Sequence, residues 1–146
     1  MTETREVAFS TLVRAEPGRV FEAISTAEGF DSWFTDGTTI DPHPGGALVF
    51  RWKNWGVEDF TGEMVGEVVE VSRPDRFIFK WPVDSGGYMT TVRIDIEPHG
   101  VGSLVRLVEG VYEPGAIGTQ DMLNRDGGWA QALTLMKFYV EHGVTY

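Results

Sequence analysis

The stretch Asp121 to His142 (DMLNRDGGWAQALTLMKFYVEH) constrains the chain most, because it is the only long helical pattern and the last one. Stepping about 100° per residue puts Met122, Trp129, Ala132, Leu133, Met136, Tyr139 and Val140 on one broad face. Gln131, Thr134, Lys137 and Glu141 fall on the other. Such a helix would span about 33 Å at 1.5 Å per residue, enough to cross a small sheet. An apolar stripe of that length must be covered by something, and the remaining sequence has to supply it.

The remainder reads as strands. Val7 to Arg14 is rich in β-formers, and Pro17 opens a short helix to about Ser25, carrying Val20, Phe21 and Ile24. Ser25 or Thr26 caps a second short helix bearing Glu28, Phe30, Trp33 and Phe34, and TDGTTIDPHPGG follows as a loop. From Ala47 to Glu109 the period changes to two, in ALVFRW, FTGEMVGEVVEV, RFIFKW, YMTTVRIDIE and SLVRLVEG, with turns between them; VYEPGAIGTQ reads as a loop. The expected fold is α+β, a curved six-stranded antiparallel sheet gripping the long C-terminal helix. Two short helices lie between strands 1 and 2, and residues 1–146 form a single domain.

The composition narrows the function. A chain of 146 residues that is 42% hydrophobic has material for one real core. The net charge of −10 disfavours nucleic acid and anionic membrane surfaces as partners. There is no cysteine, MTETREVAFS has no signal-peptide pattern, and no run approaches a membrane span. These features lead us to expect a soluble cytoplasmic protein. His43 and His99 lie in turn sequences and His142 at a helix end, with no ligand spacing among them, and Glu58 and Asp59 read as solvated hairpin charges. There is no nucleophile elbow, phosphate loop or dinucleotide fingerprint, so we assign no catalytic residue, metal or cofactor.

The order of elements, together with PGRVFEAISTAEGFDSWF, PGGALVFRW, TGEMVGEVVEVSRPDRFIFKW and GGW before the terminal helix, resembles the START-like helix-grip (SRPBCC) superfamily. Within it, the chain is most similar to bacterial relatives of the activator of heat shock protein 90 ATPase. The resemblance covers nearly the whole chain. It implies a space between sheet and helix that often holds an apolar ligand, while related folds include carriers, cyclases and co-chaperone domains.

In this chain the inward-facing residues Phe50, Trp52, Phe79, Trp81, Val92, Trp129, Leu133 and Met136 would line that space, with Phe60 and Met64 nearby. The same residues would equally fill a solid core. Gly62, Gly66, Gly127 and Gly128 would leave room, and Met64, Met89, Met122 and Met136 would make an adaptable wall. Alternation through Val105 and Leu107 turns Glu109 inward, and the helix wheel does the same for Arg125. These two would pair near the pocket mouth, orienting a ligand or satisfying each other. The reading is binding of a small hydrophobic or amphipathic ligand without chemistry. The alternative is a co-chaperone-like or other interaction module, with Trp55 or Phe138 meeting a homodimer or protein partner. Third comes a cyclase-like enzyme using Glu109 as acid or base.

Overall fold

A computed structural model describes residues 5–146. Residues 1–4, the start of the stretch read above for a signal peptide, lie outside the described residues. Strand β1 (Glu6–Val13) leads into helices α1 (Pro17–Ser25) and α2 (Ala27–Trp33). Strands β2 (Thr39–Ile40), β3 (Ala47–Trp55), β4 (Phe60–Ser72), β5 (Arg76–Pro82), β6 (Met89–His99) and β7 (Gly102–Gly110) follow, and α3 (Ala116–His142) ends the chain. The strands form one antiparallel sheet in the order β1-β7-β6-β5-β4-β3-β2. Five strands in hairpin succession make a meander, and β1 returns to its far edge beside β7.

The helix boundaries follow from local chemistry. Pro17 sits in the first turn of α1, where a missing N–H leaves nothing unpaired. Thr26 separates the two short helices; its hydroxyl accepts from the Gly29 N–H at 2.9 Å and caps α2. Trp33 donates its indole N–H to the Ala23 carbonyl at 2.8 Å, tying α2 back onto α1.

Two expectations are corrected. The sheet has seven strands rather than six, because Thr39–Ile40 inside the expected loop pairs with Val49 and Leu48. Two residues are too few to show alternation. Helix α3 begins at Ala116 rather than Asp121, so part of VYEPGAIGTQ is helical. The inward stripe of α3 runs Gly118, Asp121, Arg125, Trp129, Ala132, Leu133, Met136 and Val140, at helical spacing throughout. Its first half is small or polar, so a search for apolar periodicity could not find it.

The apolar half of α3 joins one buried core with Phe50, Phe79, Val92, Ile94, Val105 and Leu107 of the sheet's inner face. Each fully buried large side chain contributes roughly 1.5–3 kcal/mol. Gly127 and Gly128 do not open space toward the sheet; both face solvent, and a Cβ at either would meet nothing within 4 Å. Glycine within an exposed helix costs about 1 kcal/mol relative to alanine. Gly127→Ala and Gly128→Ala are therefore each expected to raise the denaturation midpoint by an amount corresponding to about 1 kcal/mol. A lowered midpoint would show that the bare backbone is needed there.

Candidate functional site

Strand alternation and register bring polar residues together under α3. Trp81 on β5 stands opposite Thr90 on β6, and Val92 stands opposite Glu109 on β7, so Trp81, Thr90 and Glu109 share the inner face at neighbouring positions. From above, α3 lowers Arg125 and, one turn later, Trp129. Glu109 is 0% exposed and Arg125 7%.

The Glu109 carboxylate is a hub. Its Oε2 accepts from Trp81 Nε1 at 2.7 Å, Thr90 Oγ1 at 2.5 Å and Arg125 Nη1 at 2.5 Å. Its Oε1 accepts from Trp129 Nε1 at 2.7 Å. Arg125 also donates to the Pro82 carbonyl at 2.6 Å, lies 3.4 Å from Asp84, and places its guanidinium 4.3 Å from the centre of the Trp81 ring. A buried charge is tolerable only when paired and hydrogen-bonded, and both conditions hold here. The pair expected from periodicity is therefore present, inside the protein rather than at an open mouth.

Next to the hub, Asp121, also buried, accepts from the Ser85 N–H at 3.1 Å, the Ser85 hydroxyl at 2.7 Å and the Tyr88 hydroxyl at 3.3 Å. It fastens the β5–β6 loop to α3. Sequence reasoning missed Asp121, although its spacing of four from Arg125 was the available signal. Among the described residues, two buried donors near the hub, Tyr112 Oη and Trp52 Nε1, have no hydrogen-bond partner. Burial, with the nearby Glu109 carboxylate adding to it, pushes the Tyr112 phenol well above its usual value of 10.0, which places this hydroxyl against the hub even though it falls outside strict hydrogen-bonding geometry.

The expected lining splits into two groups. Phe50, Trp52, Phe79, Trp81, Val92, Glu109, Arg125, Trp129, Leu133 and Met136 are buried around the hub and the apolar half of α3. Met64 is partly buried, while Phe60 is 42% exposed at the start of β4. Of the methionine wall, Met89 is exposed and Met122 only partly buried, so the wall reduces to Met136 and Met64.

The space between sheet and helix is filled. Phe34 from the end of α2 stacks on Trp129 at 5.7 Å and meets Trp52 at 5.3 Å and Phe50 at 5.7 Å. Phe30 meets Phe50 at 5.0 Å, and Trp81 meets Trp129 at 5.5 Å. The aromatics of α2, absent from the expected lining, take up the volume. Two concavities lie elsewhere. One, about 910 Å³, covers the outer sheet face around Arg76, Arg93, Asp95 and Arg106. The other, about 390 Å³, lies between α1, α2 and the end of α3. On the outer face, burial raises the Asp95 carboxyl, but hydrogen bonds and charge from Arg76 and Arg93 outweigh it and hold the group below 3.8.

Of the two aromatics expected to face a partner, Trp55 is partly buried, against Phe34 at 5.5 Å and Tyr146 at 4.6 Å. Phe138 is 51% exposed on the outer face of α3. The three histidines are exposed, and no group of three His, Cys, Asp or Glu is arranged to hold a metal among the described residues. Glu58 and Asp59 are solvated at the β3–β4 tip. Among the described residues no helix is long and apolar enough to cross a membrane.

A seven-stranded antiparallel sheet wrapped on a long C-terminal helix, with two short helices inserted after the first strand, defines a helix-grip protein. The chain belongs to the family described as Activator of Hsp90 ATPase homolog 1-like protein, whose model matches residues 14–141. Among solved structures it is similar to the Aha1 dimer from Colwellia psychrerythraea, at 17% identity and a TM-score of 0.75, covering 94% of this chain and 97% of that one. It is also similar to CalU16 from Micromonospora echinospora, at 18% identity and a TM-score of 0.76, covering 94% and 75%. A third relative is DynU16, from the dynemicin biosynthetic locus, at 20% identity and a TM-score of 0.79, covering 99% of this chain and 51% of that one. Likeness at this identity shows the fold alone. No curated protein sequence matches.

Proposed function

We propose that the chain binds a small, uncharged apolar or amphipathic molecule at the hub end of the interior, between β3–β5 and the first half of α3, without transforming it. The observation that carries this reading is the buried Trp52 Nε1, which has no hydrogen-bond partner among the described residues. Native interiors satisfy most of their buried polar atoms, so an orphaned donor beside the hub favours an occupant that supplies the missing acceptor. The other two such atoms lie away from this end: Tyr112 Oη follows β7, against Glu109, and Arg5 Nε belongs to the residue just before β1. Because the interior is packed, a ligand must displace side chains on entry, and Met64, unbranched and partly buried beside Arg125, is suited to move.

Glu109 does not serve this reading as an acid or base. It is sealed from solvent, and four donors surround it. An enzyme of this fold would need a titratable group facing a space that water and substrate share.

The test is thermal denaturation against a panel of neutral apolar compounds. A compound present at a hundred times its Kd stabilises by about 2.7 kcal/mol, which for a chain of this size raises Tm by roughly 5–10 °C. No shift across the panel would overturn the reading. That result would favour the second reading, a protein-interaction module, which the filled interior and the exposed Phe138 support. One relative of the same fold is described as a dimer, and a second copy of this chain is the simplest partner for that surface.

A further inference from the structure

The N-terminal end of β4 and the facing residues of β3 are arranged unlike the rest of the sheet. Trp52 on β3 is 6% exposed, and its indole nitrogen, a donor with no acceptor capacity, has no partner. Its ring neighbours are Phe34, Phe50, Phe60 and Trp81, none of which offers an oxygen. Directly opposite Trp52 in the ladder stands Gly62, which contributes no side chain to cover it. The cover comes instead from Phe60, two residues earlier on β4, whose ring folds back over Gly62 and lies 5.7 Å from the Trp52 ring. A Cβ at position 62 would stand 3.0 Å from Phe60 Cζ, so a side chain there would lift the ring off its seat.

The backbone carrying this cover is weakly tied. The β3–β4 register shifts between Trp52 and Trp55, so the Trp52–Gly62 pair ends the regular ladder and Phe60, paired with Trp55, stands on the far side of the irregularity. Beyond it the tip is held by a side chain, the Thr61 hydroxyl accepting from the Asn54 N–H at 3.0 Å. Asn54 and Asp59 both have φ of 52°, a left-handed conformation that asparagine and aspartate tolerate better than most residues. Phe60 therefore combines a half-exposed ring, a side-chain-free seat and a loosely laddered backbone directly above a buried, unused donor.

We propose that Phe60 is the door to the interior, and that the indole N–H of Trp52 beneath it selects ligands carrying a neutral oxygen acceptor; the inference rests on the ligand-binding reading above. The door opens by rotation of the ring off Gly62, which exposes the Trp52 edge without breaking a regular strand pair. Beneath the ring, Phe34, Trp52 and Trp81 pack on one another at 5.3–6.4 Å, so an entering molecule must offer aromatic faces of its own to replace the contacts it parts. The acceptor must be neutral. The one buried cation among the described residues, Arg125, is already committed to Glu109, Pro82 and Asp84, and the chain's net charge of −10 repels anions from the surface. A ketone, quinone or ether oxygen meets these conditions, whereas a carboxylate or phosphate does not.

The test uses 9-fluorenone and fluorene, flat neutral probes that differ mainly in one carbonyl oxygen. Titrations are followed by intrinsic tryptophan fluorescence and by the indole N–H resonances in two-dimensional NMR, with Trp52 assigned in the wild type through its contacts to the rings of Phe34 and Phe60. One hydrogen bond to an otherwise unpartnered donor should make fluorenone bind about tenfold more tightly than fluorene. Trp52→Phe should bind the two equally, and Phe60→Ala should accelerate association of both without changing their ratio. If Trp52→Phe does not fold, the wild-type Trp52 resonance decides the matter: it should move with fluorenone and stay with fluorene. Equal wild-type affinities, or a preference that survives Trp52→Phe, would overturn the donor role while leaving interior binding in place. An unchanged association rate in Phe60→Ala would overturn the door. Binding of neither probe would overturn the inference and the ligand-binding reading together.

Discussion

Glu109→Ala is expected to destabilise the protein by about 3–5 kcal/mol, the range for removing one partner of a buried ion pair. The loss is large because of what the substitution strands. Arg125 would keep a buried charge with only the Pro82 carbonyl and the half-exposed Asp84 to answer it, and the donors of Trp81, Thr90 and Trp129 would all lose their acceptor. Each orphaned buried donor adds roughly 1–3 kcal/mol of its own, and these terms overlap because they share one site. Urea denaturation at neutral pH would read the effect as a lower midpoint at unchanged slope. The double variant Glu109→Leu with Arg125→Met should recover the part of the loss that comes from the stranded charge, while the donors of Trp81, Thr90 and Trp129 stay without their acceptor. A loss below about 1 kcal/mol in the single variant would mean that the hub is not the satisfied ion pair the geometry describes.

Gly66→Ala is the second large effect. A Cβ on Gly66 would stand 2.2 Å from the Lys80 carbonyl oxygen of the neighbouring strand, which is backbone and cannot rotate away. Strands β4 and β5 would have to separate, one residue from the Glu67–Lys80 pair and close to the register shift that follows Val68. We expect a loss of about 3 kcal/mol by overpacking. Gly62→Ala supplies the control. Its Cβ would meet only the Phe60 ring, at 3.0 Å, and that ring is free to swing outward, so the expected loss is below about 1 kcal/mol. Equal losses at the two positions would show that close backbone approach is not what Gly66 provides.

The two glycines show what could be read in the sequence and what could not. Their place on one face of β4 was legible from alternation, and room for a ligand was one reading of it. The structure assigns Gly66 to backbone contact and Gly62 to seating a ring, a distinction that depends on the neighbouring strand and on a side-chain rotamer. Glu109 and Arg125 were legible for the opposite reason. Period two through Val105 and Leu107, and the helical period through Trp129, each fix a direction, and two directions that converge make a contact. Direction says nothing of leftover volume. Phe30 and Phe34 were recognised as helical residues of α2, yet nothing in their spacing shows that α2 leans far enough inward to bring Phe34 against Trp129. Asp121 and Gly118 stand two and three turns before Trp129, where no apolar side chain marks the inward face; Arg125, one turn before it, was the polar member the wheel could still place.

The hub also bears on where α3 sits along its own axis. A stripe of Trp129, Leu133, Met136 and Val140 against a greasy sheet gains nearly as much burial if the helix slides by a turn, since apolar attraction has little directional preference. The two hydrogen bonds that Arg125 and Trp129 of α3 make to one buried carboxylate allow no such sliding. One turn in either direction, about 5.4 Å, would take Arg125 and Trp129 out of reach of Glu109 together. On this view Glu109 acts as an indexing pin. The apolar half of the helix supplies the adhesion and the polar half supplies the address, which gives a reason for a charged pair to sit in a core that aromatic rings could have filled.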